Sequence, residues 1–193
     1  MKHFGIVQDL PILDLQSELY RLLDEEKISW GNPAQICVNC TNKGSHDYKE
    51  GIGSLRLDWD NQYTIIDNNG NDKLVVPERE TPKSEIDFRY LCETFKDTLF
   101  EDIYNALNKK YLLGRVRLMK SQPKTCLSWH VDYHKRIHFP IKTQEGCFMV
   151  IENEVCILEE GKWWKTNTTV YHTAVNASKE DRIHLVATVI EEY

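Results

Sequence analysis

Residues 126–158 read CLSWHVDYHKRIHFPIKTQEGCFMVIENEVCIL. This stretch holds short runs rich in β-branched and aromatic residues, separated by brief turns and without a helical segment between them. Because parallel strands need crossover connections of roughly a dozen or more residues, usually helical, these runs exclude a parallel β-α-β sheet. An antiparallel sandwich, a jelly roll or a barrel remains open.

The same pattern extends in both directions from this stretch. It predicts about eight strands between residues 113 and 190, with no helix among them. The predicted strands are Leu113–Met119, Cys126–Val131, Arg136–Ile141, Cys147–Ile151, Glu154–Leu158, Trp163–Lys165, Val170–Val175 and Arg182–Ile190.

The first 110 residues predict a mixed α/β region. Leucines at helical spacing follow the candidate N-cap Asp14 and indicate a first helix. A longer amphipathic helix is predicted from the candidate N-cap Ser84 to about Lys109. We expect these helices to brace one face of the β-rich half. The β-leaning pieces of this region are Gln35–Val38, Tyr63–Ile66 and Leu74–Val76, the last two joined in a hairpin by a turn at residues 67–72.

Composition and charge narrow the class of protein. The chain has 193 residues, of which 41% are hydrophobic and 28% charged, and this is ordinary for a globular protein of one domain. No apolar run approaches the ~20 residues of a membrane helix, and the N-terminal segment lacks a signal-peptide pattern. We therefore expect a cytoplasmic protein with no membrane partner. The net charge of −6 argues against a nucleic-acid partner, and the oligomeric state is left open.

The six cysteines are scattered along the chain and are expected to be reduced thiols. Cys37 and Cys40 form a lone CxxC motif. A structural zinc site of this kind needs a second pair, which the sequence lacks, so the role of these two thiols is left open.

The segment from Ser128 to Pro140 concentrates ionisable residues. If it forms a strand, alternate side chains share one face. Burying that face is costly unless a metal or an anion compensates its charges, and a solvated edge is the alternative. The residues on that face are His130, Asp132, His134, Arg136 and His138.

His130 and Asp132 are spaced to take adjacent positions around a metal ion. A second histidine from downstream, either His172 or His184, completes a set of two imidazoles and one carboxylate. That set is typical of non-haem Fe(II) oxygenases, because it leaves open positions for substrate chemistry. Zinc is the alternative metal.

Residues 176–178 predict a hairpin turn. If the turn is centred on Ala177, His172 lies opposite Arg182 with their Cβ atoms about 5 Å apart. The pair then delivers one metal ligand and one guanidinium into the same pocket. A guanidinium binds a carboxylate through a planar, bidentate contact, so such a pocket suits a dicarboxylate that also reaches the metal.

From Leu113 to Val189 the sequence resembles the Fe(II)/2-oxoglutarate-dependent dioxygenases, in particular the group of aspartyl/asparaginyl β-hydroxylases and bacterial free-proline hydroxylases. The matching elements are an H-x-D motif, an R-x-H motif followed by an apolar residue and Pro, a Gly-Lys-Trp-Trp segment, and a lone His followed by Asn and then by Arg. In this chain they are His130 and Asp132, Arg136 and His138, Gly161–Trp164, His172, Asn176 and Arg182.

The resemblance implies a mainly β fold with some α: a double-stranded β-helix core (jelly-roll, cupin-like) braced by N-terminal helices. Residues 111–193 would form this core and carry the metal site. Residues 1–110 would form an N-terminal α/β elaboration that shapes the substrate pocket. The two parts would belong to a single domain, residues 1–193. The residues that match by position are His130, Asp132 and His172 for the Fe(II) ligands, Arg182 for the distal carboxylate of 2-oxoglutarate, and Arg136 and His138 for further cosubstrate contacts. No catalytic residue beyond the metal ligands is implied.

The implied activity is hydroxylation of a C–H bond with 2-oxoglutarate and O2 as cosubstrates. The aspartyl/asparaginyl branch often has Gly where this chain has Asp132, so our first hypothesis is a small, amino-acid-like substrate, free or in a short peptide. Hydroxylation of a residue in a folded protein partner is the alternative. A non-catalytic, cupin-like binding module is more remote. A zinc peptidase is disfavoured because Val131 follows His130, where the H-x3-H spacing of those enzymes needs a glutamate.

Overall fold

The structure, a computed structural model, describes residues 1–57 and 61–193. Its helices are α1 (Leu15–Asp24) and α2 (Leu99–Asn108). Its strands are β1 (Phe4–Val7), β2 (Gln35–Cys37), β3 (Asn39–Cys40), β4 (Tyr63–Ile66), β5 (Asp72–Val75), β6 (Tyr90–Leu91), β7 (Tyr111–Ser121), β8 (Thr125–Cys126), β9 (Lys135–Lys142), β10 (Cys147–Ile151), β11 (Glu154–Cys156), β12 (Trp163–Thr166), β13 (His172–Asn176) and β14 (Arg182–Glu192).

Two antiparallel sheets face each other. The larger has the strand order β1-β12-β9-β14-β7-β2, and the smaller has the order β11-β10-β13-β8. The pairs β3-β6 and β4-β5 form two further small sheets. The predicted fold class is confirmed, because the chain is mainly β, with a jelly-roll arrangement of its two main sheets and two α-helices.

The larger sheet is buried on both faces. On β7, Val116 and Leu118 belong to the main apolar core, together with Leu19 of α1 and Leu107 of α2. Arg117 lies between them in sequence and therefore points to the opposite face, toward the smaller sheet. The expected packing of the helices on one face of the β-rich half is confirmed. The opposite face of the larger sheet is therefore available to form a site.

Two local predictions are confirmed. Helix α1 begins after Asp14, whose Oδ1 accepts a hydrogen bond from the Ser17 backbone N–H at 3.0 Å. The hairpin pairs β4 with β5, and Gly70 supplies a φ of +80° in its turn. Within the described ranges, no helix is long and apolar enough to cross a membrane.

The long helix predicted over residues 84–109 is wrong in its first half. Only α2 is α-helical. Residues 85–95 instead hold two short 3-10 turns and the strand β6, which pairs with β3.

Thr98 shows why the helix begins late. Its backbone is extended and its hydroxyl accepts the Phe100 N–H, as an N-cap does, while Asp97 before it has a φ of +58°. The helical spacing of the apolar residues is misleading here, because Phe88 and Phe95 are buried in different apolar clusters and not along one helix face.

The predicted hairpin between His172 and Arg182 is also wrong. His172 lies on β13 in the smaller sheet, whereas Arg182 starts β14 in the larger sheet and pairs with Ser121. The buried Asn176 amide donates to the carbonyls of Ser121 (2.9 Å) and Glu180 (2.8 Å). These bonds hold the corner where the chain passes from one sheet to the other.

The segment around His130 does not form one strand with five ionisable residues on a face. The predicted strand Cys126–Val131 shrinks to β8, and His130 makes an isolated bridge with His172. Only Arg136 and His138 share a strand, β9.

Candidate metal centre

The two sheets enclose a cavity of about 600 Å³. His130, Asp132 and His172 line it, and so does Arg182 from the larger sheet. Another cavity, of about 680 Å³, lies beside Trp30. In the described ranges, the cluster of these three potential ligands is the one grouping of at least three such side chains that could hold a metal ion.

The potential ligand atoms of His130, Asp132 and His172 lie within 4.8 Å of one another. The backbones of the two histidines exchange hydrogen bonds of 3.1 and 2.9 Å, so a long-range pairing brings them together. Their ring centroids are 4.3 Å apart, and His172 Nε2 is 3.6 Å from Asp132 Oδ2. Two imidazole nitrogens and one carboxylate oxygen suit a divalent transition metal.

The histidine tautomers follow from their backbone contacts. His130 Nδ1 lies 2.6 Å from the Ser128 carbonyl, and His172 Nδ1 lies 2.9 Å from the Val170 carbonyl. Because a carbonyl oxygen only accepts, each Nδ1 carries a proton, and Nε2 is the nitrogen left to bind a metal in the neutral ring. Both rings are thus oriented and protonated as a metal ligand requires.

Arg136 holds the Asp132 side chain. Its Nε donates to Asp132 Oδ2 at 3.0 Å, its Nη1 donates to the Thr188 hydroxyl, and Nη1 lies 3.5 Å from Glu85 Oε1. Burial alone raises the pKa of the Asp132 carboxyl, but the hydrogen bond from Arg136, the charge of Arg136 and the two neighbouring histidines together outweigh burial and hold that pKa below its usual value. Asp132 is therefore an anionic ligand at neutral pH.

Arg182 is a buried cation without an acidic neighbour in the described ranges. Its side chain donates from Nη2 to His184 Nδ1 at 3.0 Å, and among the described residues no carboxylate lies within ion-pair distance of it. Burial lowers the pKa of its guanidinium to about 10, so it stays charged at neutral pH. A buried charge without a partner is costly, and an anion bound in the cavity would compensate it.

A family model for aspartyl/asparaginyl β-hydroxylases matches residues 16–192, almost the whole chain. The chain belongs to this family. It is a hydroxylase, and the family predicted from the motifs is confirmed. No curated protein matches its sequence significantly.

Several solved structures resemble this hydroxylase at low sequence identity. The viral collagen prolyl hydroxylase of Paramecium Bursaria Chlorella virus-1 is 9% identical over 97% of this chain and 94% of its own, with a TM-score of 0.42. AviO1 from Streptomyces viridochromogenes Tue57 is 11% identical over 99% and 91%, with a TM-score of 0.43. A 2OG-Fe(II) oxygenase family oxidoreductase from Burkholderia pseudomallei is 14% identical over 66% and 71%, with a TM-score of 0.39.

The other histidines singled out in this hydroxylase lie apart from the ligands. His138 lines the cavity and faces His184, with ring centroids 5.8 Å apart. Burial and then the charge of Arg182 hold the pKa of both rings well below the usual value, so both are neutral. His134 lies in a bend and accepts a hydrogen bond at its backbone oxygen from Thr168.

Sequence reasoning missed a charged cluster behind Asp132. Glu85 Oε1 accepts from Arg115 Nη2 at 2.9 Å and also lies near Arg136, so ion pairs connect residue 85 to the candidate metal ligand. Arg115 Nη1 donates in addition to the Gly51 carbonyl at 2.8 Å.

A signal for this cluster was present in the sequence. Arg115 and Arg117 alternate with Val116 and Leu118 in the predicted strand Leu113–Met119. Cations at alternate positions of a buried strand indicate that one of its faces lines a polar cavity. Glu85, the anionic partner of Arg115, could not be recognised, because it lies 30 residues from Arg115.

Proposed function

We propose that this hydroxylase is an Fe(II)- and 2-oxoglutarate-dependent dioxygenase that acts on a small, amino-acid-like substrate, free or in a short peptide. The observation that carries the proposal is the convergence of His130, Asp132 and His172 within 4.8 Å, in a cavity that also contains the uncompensated cation Arg182.

The donor set fits Fe(II). Two neutral imidazoles and one carboxylate make the facial triad of non-haem iron oxygenases, and this set leaves positions open for a cosubstrate and O2. When bound, iron supplies the activation of O2 that couples oxidative decarboxylation of 2-oxoglutarate to hydroxylation of a C–H bond. The protein contributes the ligand geometry, the ring orientations set by the Ser128 and Val170 carbonyls, and a site between two sheets.

Arg182 is our candidate for the distal carboxylate of 2-oxoglutarate. Its guanidinium is buried, charged and not neutralised by any described carboxylate, and a planar fork matches a carboxylate. His138, which also lines the cavity, stays a predicted cosubstrate contact.

Arg136 was predicted as a cosubstrate contact as well. Its guanidinium is engaged by Asp132, Glu85 and Thr188. We therefore propose that Arg136 orients the carboxylate ligand, because an oriented ligand keeps the geometry that the metal requires.

The size of the cavity supports a small substrate. At about 600 Å³ it lies within the ordinary range of small-molecule sites. Hydroxylation of a residue in a folded protein is the competing substrate hypothesis. The non-catalytic alternative is not retained, because the chain belongs to a family of hydroxylases.

Succinate release tests the substrate class. Protein reconstituted with Fe(II) and 2-oxoglutarate under air is assayed with each free amino acid and with short end-blocked peptides, and His172→Ala serves as the blank. We expect at least one of these small compounds to raise succinate formation well above the uncoupled rate. Stimulation by intact proteins alone would favour the competing hypothesis.

Arg182→Lys tests the cosubstrate site. Lysine keeps the charge and loses the planar fork, so we expect the KM for 2-oxoglutarate to rise about ten- to a hundredfold. Arg89→Lys, at an exposed arginine, is the matched control. An unchanged KM in Arg182→Lys would mean that another cation binds the distal carboxylate.

A further inference from the structure

The smaller sheet has one face toward the cavity and a second face turned away from it. On β13, His172 and Ala174 line the cavity, so the side chains between and beside them point to the second face. The strand register extends that face across β10 and β11, because Thr173 pairs with Val150 and Val150 pairs with Val155. We call it the outer face. It presents Phe148, Val150, Val155, Tyr171, Thr173 and Val175.

Trp129 and Ile157 extend the outer face at its two edges. Trp129 precedes His130, whose backbone bridges to β13. The Trp129 ring is parallel to the Tyr171 ring, with centroids 6.4 Å apart, so both rings lie on the same side of the sheet. Ile157 directly follows the end of β11.

The outer face is apolar and exposed. Its four most exposed side chains, Trp129, Val155, Ile157 and Tyr171, are between 48% and 60% exposed, although large apolar side chains are usually buried. Together with the partly exposed residues between them, they leave about 600 Å² accessible, the upper end for the largest apolar patch of an ordinary monomer. A contiguous patch of this size marks an interaction site.

None of the side chains that define the outer face is charged. Thr173, the polar side chain at its centre, already donates from its hydroxyl to the Leu127 carbonyl at 2.6 Å. A charged peptide, a nucleic acid or an anionic membrane would therefore meet no ion-pair partner on this face. The occupant that fits it is itself an uncharged, apolar surface.

Two other occupants do not fit the outer face. A substrate bound there would not reach the metal centre, because His172 and Ala174 point to the opposite side of the sheet. An added strand would have to pair with a sheet edge, and the edge strands β8 and β11 have only two and three residues.

The outer face is complementary to a second copy of itself. Its aromatic half, Trp129 and Tyr171, lies toward β8, and its aliphatic half, Val155 and Ile157, lies toward β11. A two-fold axis along the strands, between β10 and β13, places each half against the other half of the second copy. Two sheets related in this way keep their strands nearly aligned, as in ordinary sheet-on-sheet packing.

Trp129 and Val155 meet in this arrangement. Trp129 lies beside Thr173, one residue away from the bridge at His130. Val155 belongs to the same row across the sheet, because Val150 pairs with both Thr173 and Val155. Rotation about an axis along the strands keeps each row at its height, so Val155 of one copy faces Trp129 of the other, and this contact occurs twice.

The area of the outer face suits a dimer. Two such faces bury about 1,200 Å² before any polar rim is counted, which is the lower end of specific protein–protein interfaces. The cavities of both copies stay accessible, because they lie on the opposite side of the smaller sheet.

We propose that the outer face is the interface of a homodimer of this hydroxylase, in which Trp129 of each copy packs on Val155 of the other. The proposal goes beyond the proposed function and does not depend on it.

Sedimentation velocity of the full chain, measured from low to high micromolar concentration, tests this dimer. We expect a reversible monomer–dimer equilibrium within that range. Val155→Glu and Trp129→Lys should each raise the dimer Kd by at least about tenfold, because each buries two unpaired charges in the interface. Ile12→Glu, at an exposed apolar residue outside the outer face, is the matched control and should keep the Kd within about twofold.

A mixture of Val155→Glu and Trp129→Lys tests the pairing. One of its two symmetric contacts joins the new carboxylate to the new ammonium, and the other keeps Trp129 against Val155. We expect the mixture to dimerise at least about tenfold more tightly than either variant alone. Circular dichroism checks that the variants fold, and Ile157→Glu, on the same face, replaces Val155→Glu as the disrupting variant if Val155→Glu does not fold.

Three results would overturn the proposal: a wild type that stays monomeric throughout the range, a dimer that survives both variants unchanged, or a mixture that dimerises no more tightly than the variants alone. None of them bears on metal binding or succinate release, so the proposed function is tested separately.

Discussion

His172 and His184 are both buried histidines of the core, but their surroundings differ. His172 Nε2 is 3.6 Å from the Asp132 carboxylate, whereas His184 accepts a hydrogen bond from Arg182 and faces His138. The choice between them as third ligand was open in the sequence, because both follow the H-x-D motif at long range. Their positions in the two sheets favour His172 as the third metal ligand.

We predict that His172→Ala removes tight binding of Mn(II) or anaerobic Fe(II), because it takes away one of three ligands. His184→Ala should leave metal binding intact. Isothermal titration calorimetry of the metal alone measures both, without relying on turnover. Loss of binding in His184→Ala with retention in His172→Ala would reverse our assignment.

Glu85 is the main acid that neutralises the arginines behind the cavity. Burial alone raises the pKa of its carboxyl, but Arg115 by hydrogen bond and charge, and then Arg136, outweigh burial and lower the pKa from 4.5 to about 2. The carboxylate therefore stabilises the fold above pH 4.5, and this stabilisation is lost as the pH falls from 4.5 to about 2. At about 1.4 kcal/mol per pKa unit, it amounts to roughly 3 kcal/mol.

We predict that Glu85→Gln lowers the free energy of unfolding by roughly 3 kcal/mol at pH 7, and that its deficit relative to wild type shrinks as the pH drops below 4.5. Urea unfolding at several pH values measures this. Glu25→Gln, at an exposed ion pair with Arg21, should leave the free energy of unfolding nearly unchanged. A deficit that does not change with pH would show that charge is not the cause.

At the scale of elements, residues 85–95, before α2, are where the structure departs most from the pattern of the sequence. The apolar residues of this segment repeat at helical spacing, yet β6 pairs with β3 and α2 begins only after its N-cap Thr98. Propensity and periodicity describe a segment by itself. Pairing with a distant strand overrides them when it satisfies the same backbone groups and buries the same side chains.

The sign of the stability change in Thr98→Ala distinguishes a continuous helix through residue 98 from a helix that begins after it. If the residue lay inside a continuous helix, alanine would stabilise it, because alanine has the higher helix propensity. As the N-cap of α2, Thr98 accepts from the Phe100 N–H, so we predict a loss of about 1 kcal/mol. Thermal and urea unfolding measure the change, and any stabilisation would contradict the cap.

At the scale of the whole molecule, the β-rich half depends on the first 110 residues. Strands β1 and β2 form the two edges of the larger sheet, and α1 and α2 cover its apolar face. Gln35 on β2 also reaches into the cavity to hold Arg117.

We therefore predict that residues 111–193 expressed alone do not fold cooperatively. The isolated fragment would expose the apolar face that packs against the helices, together with sheet edges that β1 and β2 now cover. Thermal unfolding and the dispersion of amide NMR signals measure this, with the full chain as control. A cooperative transition in the fragment would show that the β-rich half is an independent unit.

Sequence by itself determined the features that depend on near neighbours. The cap at Asp14, the hairpin at Gly70 and the antiparallel β character after residue 111 follow from local propensity and turn chemistry. The H-x-D motif and the family were readable as well, because the residues that carry the chemistry keep their order and spacing.

Only the tertiary structure decided which distant residues meet. The corner at Asn176 places His172 and Arg182 in different sheets that face one cavity, where a local reading made them hairpin neighbours. The pairing of Glu85 with Arg115 and the hydrogen bond from Arg117 to Gln35 likewise depend on contacts across 30 or more residues. A buried charge is costly unless it has a partner. Which charges are buried depends on the assembled fold and cannot be read from local spacing in the sequence.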